Sequence, residues 1–287
     1  MMKSSELITN SDGSIFHLRL LPSEIADNII LVGDPGRVEL IGEYFDRIEI
    51  ERQNREFRTI TGTYKNKSIS VISSGIGPDN IDIVINELDA LKNIDLTNKV
   101  TKSTVQPLNI IRIGTSGSIQ ESIPNGAFVV TKKSIGFDNL AHFYRLNQNE
   151  ENRNIEKSLK SHLNWSQNFT FPYVTDASEK LLDKFQDKTF IQGMTISAPG
   201  FYGPQGRRLR LPLSDETMNN KISNFRFKNL SITNYEMESS AIYALSQALG
   251  HQAVTVCAII ANRVTNEYIG DYTPRMQELT KKVLENI

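Results

Sequence analysis

The sequence predicts an α/β protein with a largely central, mixed sheet, and two observations carry that prediction. Short β-branched runs alternate with stretches of helical spacing, beginning with a strand at Ile29–Val32 and a helix at Arg37–Phe45. Glycine-bearing turns follow several of these runs, which is typical of strand-to-helix connections. No linker divides the chain of 287 residues, so we expect a single domain over residues 1–287.

The same alternation continues to the end of the chain. Further predicted strands and helices, in order, are strand 68–72, helix 80–91, strand 109–113, strand 127–131, helix 237–249 and strand 253–261. Two polar segments interrupt the pattern, one near residues 95–105 and a longer, Asn-rich one at residues 148–170. We expect both to be loop insertions on the same domain.

Composition and charge exclude several classes of function. Basic and acidic residues number 32 and 33, for a net charge of -1, whereas nucleic-acid and membrane-surface binders usually carry a basic excess. No apolar run approaches the roughly 20 residues of a membrane span, and no signal-peptide pattern is visible. The single cysteine, Cys257, lies in an apolar run, which favours a reducing compartment and hence the cytoplasm. Neither CxxC nor HExxH occurs, so we expect no metal site.

Three glycine-bearing turns follow predicted strands, at Gly33–Arg37, Ser74–Gly77 and Gly114–Gly117. In open α/β sheets ligands bind beyond the carboxyl ends of the strands, and glycine lets backbone N–H groups approach an anion closely. The alternative, a tight strand-to-helix connection without a ligand, is the more typical interpretation of each turn taken alone. The three turns therefore favour an anion site only in combination with other residues.

Arginines near these turns strengthen the interpretation as an anion site. Arg37 directly follows the first turn, and Arg112 lies inside an otherwise apolar strand, two residues before Gly114. A buried guanidinium needs an anionic partner, and its planar fork matches phosphate well. A structural salt bridge remains the alternative for Arg112, and Arg55, in a charged stretch, is by itself more typical of a solvated residue.

Two carboxylates, Glu236 and Glu238, lie at the predicted start of the last long helix. Their spacing suits a transition from strand to helix, where the two side chains point to different partners. The alternative is a solvated first helical turn that complements the helix dipole.

Seven short motifs occur together in one order. They are Phe16-His-Leu18, Gly33-Asp-Pro-Gly-Arg37, Arg55-Glu-Phe57, Ile111-Arg-Ile-Gly-Thr-Ser-Gly117, Phe201-Tyr-Gly-Pro-Gln-Gly-Arg207, Asn234-Tyr-Glu-Met-Glu-Ser239 and Ala261-Asn-Arg263. With these motifs the chain resembles the nucleoside phosphorylase family and, within it, the uridine phosphorylases. The resemblance extends over about residues 14–264.

The resemblance implies a phosphorylase/hydrolase-like fold, with three α/β/α layers around a mixed, partly barrel-like sheet. It also implies phosphorolysis of uridine, with other pyrimidine nucleosides left open, to a free base and ribose 1-phosphate. Inorganic phosphate is then a co-substrate, and no cofactor is needed. The expected partners are a nucleoside and phosphate, with neither a nucleic acid nor a membrane.

The resemblance also assigns roles to individual residues. Those of the phosphate site are Gly33, Arg37, Arg112 and Thr115, with Arg55 lent by a neighbouring subunit. Those of the ribose site are Glu236, Met237 and Glu238, with His17 donated across a dimer. Those of the base site are Phe201, Gln205, Arg207 and Arg263. The catalytic set consists of Arg112, Arg207 and Glu238. A homodimer is accordingly the smallest competent unit, and nothing in the sequence selects a hexamer.

The sequence departs from the family pattern at several points. Some bacterial members bind a monovalent cation near the second glycine turn, where Asp79 here replaces a small polar residue, so the pattern for that cation is incomplete. Ala198-Pro-Gly200 precedes Phe201 where the family has Ser-Asp-Thr-like residues, and the 148–170 segment is unfamiliar.

Three alternative functions on the same fold remain. A purine nucleoside phosphorylase commonly places an aspartate where Ala261 stands, and alanine cannot protonate a purine. A hydrolytic nucleosidase has no need for Arg37, Arg55 and Arg112 together. The third alternative is a non-catalytic nucleoside-binding protein, although no residue of the implied site is missing.

Overall fold

The computed structural model describes residues 2–287. Its strands are β1 (Asn28–Val32), β2 (Arg47–Asn54), β3 (Phe57–Tyr64), β4 (Lys67–Ser73), β5 (Ile94–Asp95), β6 (Val100–Thr101), β7 (Asn109–Ser118), β8 (Phe128–Gly136), β9 (Tyr173–Asp176), β10 (Phe190–Ser197), β11 (Arg226–Phe227), β12 (Leu230–Glu236), β13 (Gln252–Asn262) and β14 (Glu267–Tyr268). Its α-helices are α1 (Pro35–Gly42), α2 (Pro78–Asn93), α3 (Glu150–Leu163), α4 (Glu179–Leu182), α5 (Met218–Asn224), α6 (Ser239–Leu249) and α7 (Thr273–Asn286).

One large mixed sheet organises the molecule. Its strand order is β11-β12-β10-β8-β13-β7-β1-β4-β3-β2, with β14 beside β13 and β9 beside β8. β12 pairs in addition with β7, so that β7, β13, β8, β10 and β12 close into a five-stranded ring. The predicted α/β class with a mixed, partly barrel-like sheet is therefore confirmed.

The sheet brings several strand ends together at one place. β1 runs parallel to both β4 and β7, so the carboxyl ends of these three strands share one edge. β12 runs antiparallel to β7, but the two strands pair only through their last residues, Tyr235 with Gly117 and Asn234 with Ser118. The carboxyl end of β12 therefore reaches the same edge from the opposite side.

The central strands are buried because their β-branched runs are covered by helices. β1 and the middle of β13 are almost wholly apolar and buried, as the sequence predicts for strands with both faces covered. α2 buries the stripe that its spacing predicts, including Ile81, Val84, Leu88 and Leu91. No helix within residues 2–287 combines the length and the hydropathy needed to span a membrane.

The segment at residues 148–170 differs from the loop insertion that we expected. It contains the 14-residue helix α3, whose first turn is capped by the side chain of Asn149. Ile155, Leu159 and Leu163 recur at helical spacing and are fully buried in a second apolar cluster. The expectation of a loop was wrong here because three apolar residues suffice for a one-sided helix that packs on the sheet. The shorter segment near 95–105 contains the paired strands β5 and β6.

The third predicted glycine turn is also not a turn. Gly114–Gly117 lies within β7, which continues to Ser118 because it remains paired with β13, Gly114 opposite Cys257. A Cβ atom on Gly114 would stand 2.2 Å from Nη1 of Arg112. Gly114 therefore makes room for the guanidinium of Arg112, which lies over it along the same strand. It does not serve a bend in the chain.

The last predicted long helix begins slightly later than expected. Glu236 ends β12 and α6 starts at Ser239, so Met237 and Glu238 form the connection between the two elements. The prediction that both carboxylates stand at a strand-to-helix transition is met by this placement.

Candidate active site

A cavity of about 840 Å³ opens at the edge of the sheet where the carboxyl ends of β1, β4, β7 and β12 meet. Most of the residues that the sequence singles out line it, namely Gly33, Arg37, Arg112, Thr115, Phe201, Gln205, Arg207, Glu236, Met237 and Glu238. The volume is in the usual range for small-molecule sites. The structure thus gathers segments from residue 33 to residue 238 around one space.

The first wall of the cavity is the turn after β1. Asp34 accepts a hydrogen bond from the N–H of Gly36 at 2.9 Å and caps α1, which fixes the start of the helix. Arg37, in the first turn of α1, is half-buried and faces the cavity. Burial and the nearby charge of Arg112 lower the pKa of Arg37, more than Asp34 raises it. Two cations on the same side of a cavity favour the binding of an anion.

Arg112 is held by two carboxylates. Its Nη2 pairs with Glu238 Oε2, and its Nη1 lies 3.2 Å from Glu236 Oε2. Burial alone would lower the pKa of Arg112, but Glu238 and Glu236 outweigh it and raise the pKa above its ordinary value. Nη1 also donates to the Sγ of Cys257 at 3.5 Å. Arg112 is therefore permanently charged and fixed in direction.

Glu238, which pairs with Arg112, lies in the connection between β12 and α6. Its Oε1 accepts a hydrogen bond at 2.8 Å from the N–H of Gly77, in the turn after β4. Gly77 has a φ of 103°, which only glycine adopts without strain. Burial raises the pKa of Glu238, and the charge of Glu236 adds to that effect while Arg112 opposes it. Glu238 can accept hydrogen bonds from hydroxyl groups of a ligand in the cavity.

Glu236 is held from below by the start of α6. Its Oε2 accepts from the N–H of Glu238 and of Ser239, both at 3.0 Å, and its Oε1 accepts from the hydroxyl of Ser197. A carboxylate at a helix N-terminus satisfies backbone donors that the helix leaves free. The structure therefore gives Glu236 a supporting position beneath Arg112, although it also lines the cavity.

Gln205 and Arg207 form another wall, in the connection that follows β10. Gln205 is buried, and its Oε1 accepts from Arg207 Nη1 at 2.6 Å and from Arg263 Nη2 at 3.2 Å. The guanidinium carbon of Arg207 stands 3.6 Å from the ring centroid of Phe201, a cation–π contact. Burial and the charge of Arg263 lower the pKa of Arg207 to about 10. Arg263 itself supports Gln205 from outside the cavity wall.

His17 and Arg55 lie outside this cavity. His17 Nδ1 stands 2.6 Å from Glu87 Oε1, and the side chain of Asn54 donates to the carbonyl of His17 at 2.8 Å. Arg55 is exposed at the turn between β2 and β3, with a φ of 55°. Asn54 connects the two, so His17 and Arg55 occupy one region of the surface. Their roles across a subunit interface stay a prediction.

Several cavity residues were not predicted from the sequence. Glu56 lies within the Arg55-Glu-Phe57 motif and Tyr235 within the motif at residues 234–239, so their neighbours in the chain pointed to them. Asn80, Tyr268 and Tyr272 also line the cavity, but no motif marks them. Tyr268 comes from β14, whose pairing with β13 places it beside the site and is invisible in the sequence.

The sequence is similar to those of known nucleoside phosphorylases. The family model described as "Phosphorylase superfamily" matches residues 27–287. Relatives include a uridine phosphorylase of Thermococcus kodakarensis, 30% identical over 92% of this chain and 83% of the relative. A DeoD-type purine nucleoside phosphorylase of Listeria monocytogenes is 25% identical over 88% of each chain.

Solved structures give the same result. A Trypanosoma brucei nucleoside phosphorylase whose structure is described as showing uridine phosphorylase activity has a TM-score of 0.90 and 32% identity, covering 98% of both chains. A uridine phosphorylase of Phytophthora capsici, at 22% identity and a TM-score of 0.71, shares the fold. With a family model that spans nearly the whole chain and relatives of 30% identity or more, this protein belongs to the phosphorylase superfamily.

Proposed function

We propose that this protein cleaves uridine and related pyrimidine nucleosides by phosphorolysis, releasing the free base and ribose 1-phosphate. One observation carries the proposal: a single cavity joins two arginines, a buried carboxylate and a Gln–Arg pair. Those groups suit the three parts of the reaction, which are the phosphate, the sugar and the leaving base. The activities named for the Thermococcus and Trypanosoma relatives support it.

The phosphate half of the proposal rests on Arg37 and Arg112. The charge of Arg112 disfavours the charged form of Arg37, and a bound phosphate dianion would relieve this repulsion. Gly33 leaves the backbone close to the cavity, and Thr115 adds a hydroxyl at its wall. Glu236 and Glu238 partly neutralise Arg112. The site would therefore bind the phosphate dianion without fully neutralising the negative charge of the phosphate.

The sugar half rests on Met237 and Glu238. Phosphate attacks C1' of the ribose as the C1'–N1 bond breaks, and the bonding electron pair leaves with the base. The ribosyl group carries positive charge in the transition state, as in glycoside cleavage generally. Glu238 would accept hydrogen bonds from the ribose hydroxyls and orient C1' towards phosphate, while the Met237 side chain packs against the sugar.

The base half rests on Gln205 and Arg207. The departing uracil gains negative charge on its oxygens, and fixed donors aimed at that charge stabilise the transition state. The cation–π contact with Phe201 and the bond to Gln205 hold Arg207 in place before substrate binds. Arg263 increases the positive potential at Gln205.

A purine nucleoside is the second candidate substrate, because some relatives are named purine nucleoside phosphorylases. Protonation of a departing purine at N7 needs an acid near the base. At the position where such enzymes commonly carry aspartate this chain has Ala261, which lines the cavity. We therefore propose pyrimidine over purine selectivity.

We also propose a homodimer with shared sites, without choosing between a dimer and a hexamer, and a location in the cytoplasm. The dimer is supported by the position of His17 and Arg55 outside the cavity of their own chain. The location is supported by the one cysteine, which is buried and unpaired in a chain without a second thiol. No cofactor is proposed, since phosphate and nucleoside suffice for the reaction.

Uracil release from uridine, measured with and without inorganic phosphate, tests the proposed function. We expect release only with phosphate, in step with formation of ribose 1-phosphate. Free ribose formed at an equal rate without phosphate would identify a hydrolase. Faster cleavage of inosine than of uridine would show that the protein prefers purine nucleosides. If neither nucleoside is cleaved, the remaining candidate is a non-catalytic nucleoside-binding protein.

A further inference from the structure

Ser197, the last residue of β10, joins three elements beneath the active site. Its hydroxyl donates to Glu236 Oε1 at the end of β12 and accepts at 2.9 Å from the N–H of Ser240 in α6. The hydroxyl of Ser134, on β8, lies 3.1 Å away. Ser197 does not line the cavity, and it is buried.

The hydroxyl acts on the carboxylate that holds Arg112. Glu236 receives its other hydrogen bonds from backbone N–H groups of residues 238 and 239 and contacts Arg112 through Oε2. Within residues 2–287, Ser197 is the only uncharged side chain that donates to Glu236. Backbone donors at a helix start fix the carboxylate near the helix, whereas the hydroxyl fixes its rotation from the side of β10.

Ser197 is itself held from the far side of α6. The hydroxyl of Ser240 donates to Asp138 Oδ2 at 2.9 Å, and the phenol of Tyr173 donates to the same carboxylate at 2.8 Å. Hydrogen bonds therefore link Asp138 to the Ser240 hydroxyl, the Ser240 N–H to Ser197, and Ser197 to Glu236. The ion pair between Glu236 and Arg112 at 3.2 Å completes the line. All of its members are buried, so each bond is protected from competition with water.

We propose that Ser197 is a positioning residue for phosphate binding: its hydroxyl fixes Glu236, and Glu236 in turn fixes the Arg112 guanidinium in the direction that phosphate requires. This inference rests on the proposed function and deepens it. A loosened Glu236 lets Arg112 follow Glu238 alone and turn away from the anion. The loss then falls on phosphate and not on the nucleoside base, which Gln205 and Arg207 would contact.

Ser197→Ala tests the inference, with Ser134→Ala as the matched control. Each change removes one buried hydroxyl from neighbouring strands, but only Ser197 touches Glu236. We expect Ser197→Ala to raise the KM for phosphate about tenfold, the effect of one hydrogen bond to a charged group, and to leave the KM for uridine within about twofold. Ser134→Ala should leave both constants within about twofold of the unmodified protein.

Phosphate binding without nucleoside separates this inference from the proposed function. The dissociation constant of inorganic phosphate, obtained from the rise in melting temperature with concentration, should increase about tenfold in Ser197→Ala alone. If uridine is cleaved without phosphate, the proposed function fails. The dissociation constants of phosphate for the unmodified protein and for Ser197→Ala still test the role of Ser197. An unmodified protein that binds no phosphate would overturn both.

Two further outcomes would overturn the positioning role of Ser197. One is equal loss of phosphate affinity in the Ser197 and Ser134 variants, and the other is a lower melting temperature with unchanged phosphate affinity. Should Ser197→Ala not fold, Ser197→Cys keeps a side chain of similar shape with a weaker donor. Its phosphate affinity should then lie below that of the unmodified protein, and equality with it would contradict the inference.

Discussion

Arg207 stands between Phe201 and Gln205, and no carboxylate within residues 2–287 pairs with it. Its replacement therefore removes a charge that no salt bridge neutralises. Replacing Arg207 by Ala removes the charge proposed to stabilise the departing uracil, with an expected loss of about 10²-fold in kcat/KM for uridine. Arg208→Ala is the matched control, because Arg208 is exposed, pairs with Glu216 and does not line the cavity. Steady-state uracil release measures both. Equal activity of the two variants would remove Arg207 from the site.

The raised pKa of Glu238 predicts how activity depends on pH. The carboxylate, which would accept from the ribose hydroxyls, takes up a proton as the pH falls, and burial places that step above the ordinary value of 4.5. We therefore expect kcat/KM for uridine to fall on the acid side with an apparent pKa above 4.5. Glu238→Gln should be slow and should lack this acid step, and a profile identical in both proteins would assign the step to another group.

At the scale of single elements, Gly114 in β7 sets the space for Arg112. A methyl group in Gly114→Ala would overlap Nη1 of Arg112, which the carboxylates of Glu236 and Glu238 prevent from moving aside. We expect a loss of about tenfold or more in kcat/KM for phosphate, similar to removing one charged contact. The control is Gly270→Ala, since a Cβ there meets nothing within 4 Å although Gly270 also lines the cavity. Phosphate saturation curves with comparable constants for both variants would contradict this account.

Elements differ in how far their sequences predicted them. β1, α2 and β13 followed from local pattern, because a buried strand and a one-sided helix each impose a period on their own residues. The pattern of α3 was too sparse, with three apolar positions in a polar segment, and only the sheet surface beneath it makes that helix stable. The continuation of β7 through Gly114–Gly117 depends equally on a partner strand, since glycine alone favours a turn.

At the scale of the whole molecule, His17 and Arg55 lie outside the cavity of their own chain. Their position leads to a complementation test between subunits. Arg55→Ala and Glu238→Ala should each be inactive if Arg55 completes the site of a neighbouring subunit. A mixed dimer carries both defects in one site and neither in the other, because a two-fold interface exchanges the same groups in both directions. Activity should therefore return when the two variants exchange subunits.

The control for this test is a mixture of Arg207→Ala with Glu238→Ala. Both residues line the cavity of their own chain, so every site in that mixed dimer carries a defect and activity should stay low. Exchange is followed by native mass spectrometry. Exchange without recovery in the Arg55 mixture would show that Arg55 does not act across the interface.

The sequence by itself determined the α/β class and most of the central strands, and it singled out Arg37, Arg112 and the Glu236–Glu238 pair among the residues around the cavity. It did so because periodicity is a local property and because charged residues inside apolar runs stand out without any structure. The resemblance to a known family then supplied the roles that those residues are proposed to play.

Only the tertiary structure decided how these residues act on one another. Arg112 and Glu238 are 126 positions apart, and the closure of the ring between β7 and β12 brings them into contact. The parallel pairing of β10 with β12 puts Ser197 beside Glu236, and the contact of His17 with Glu87 of α2 holds His17 outside the cavity. Such contacts depend on strand pairing between distant segments, and no local pattern of residues encodes which distant partner a strand will find.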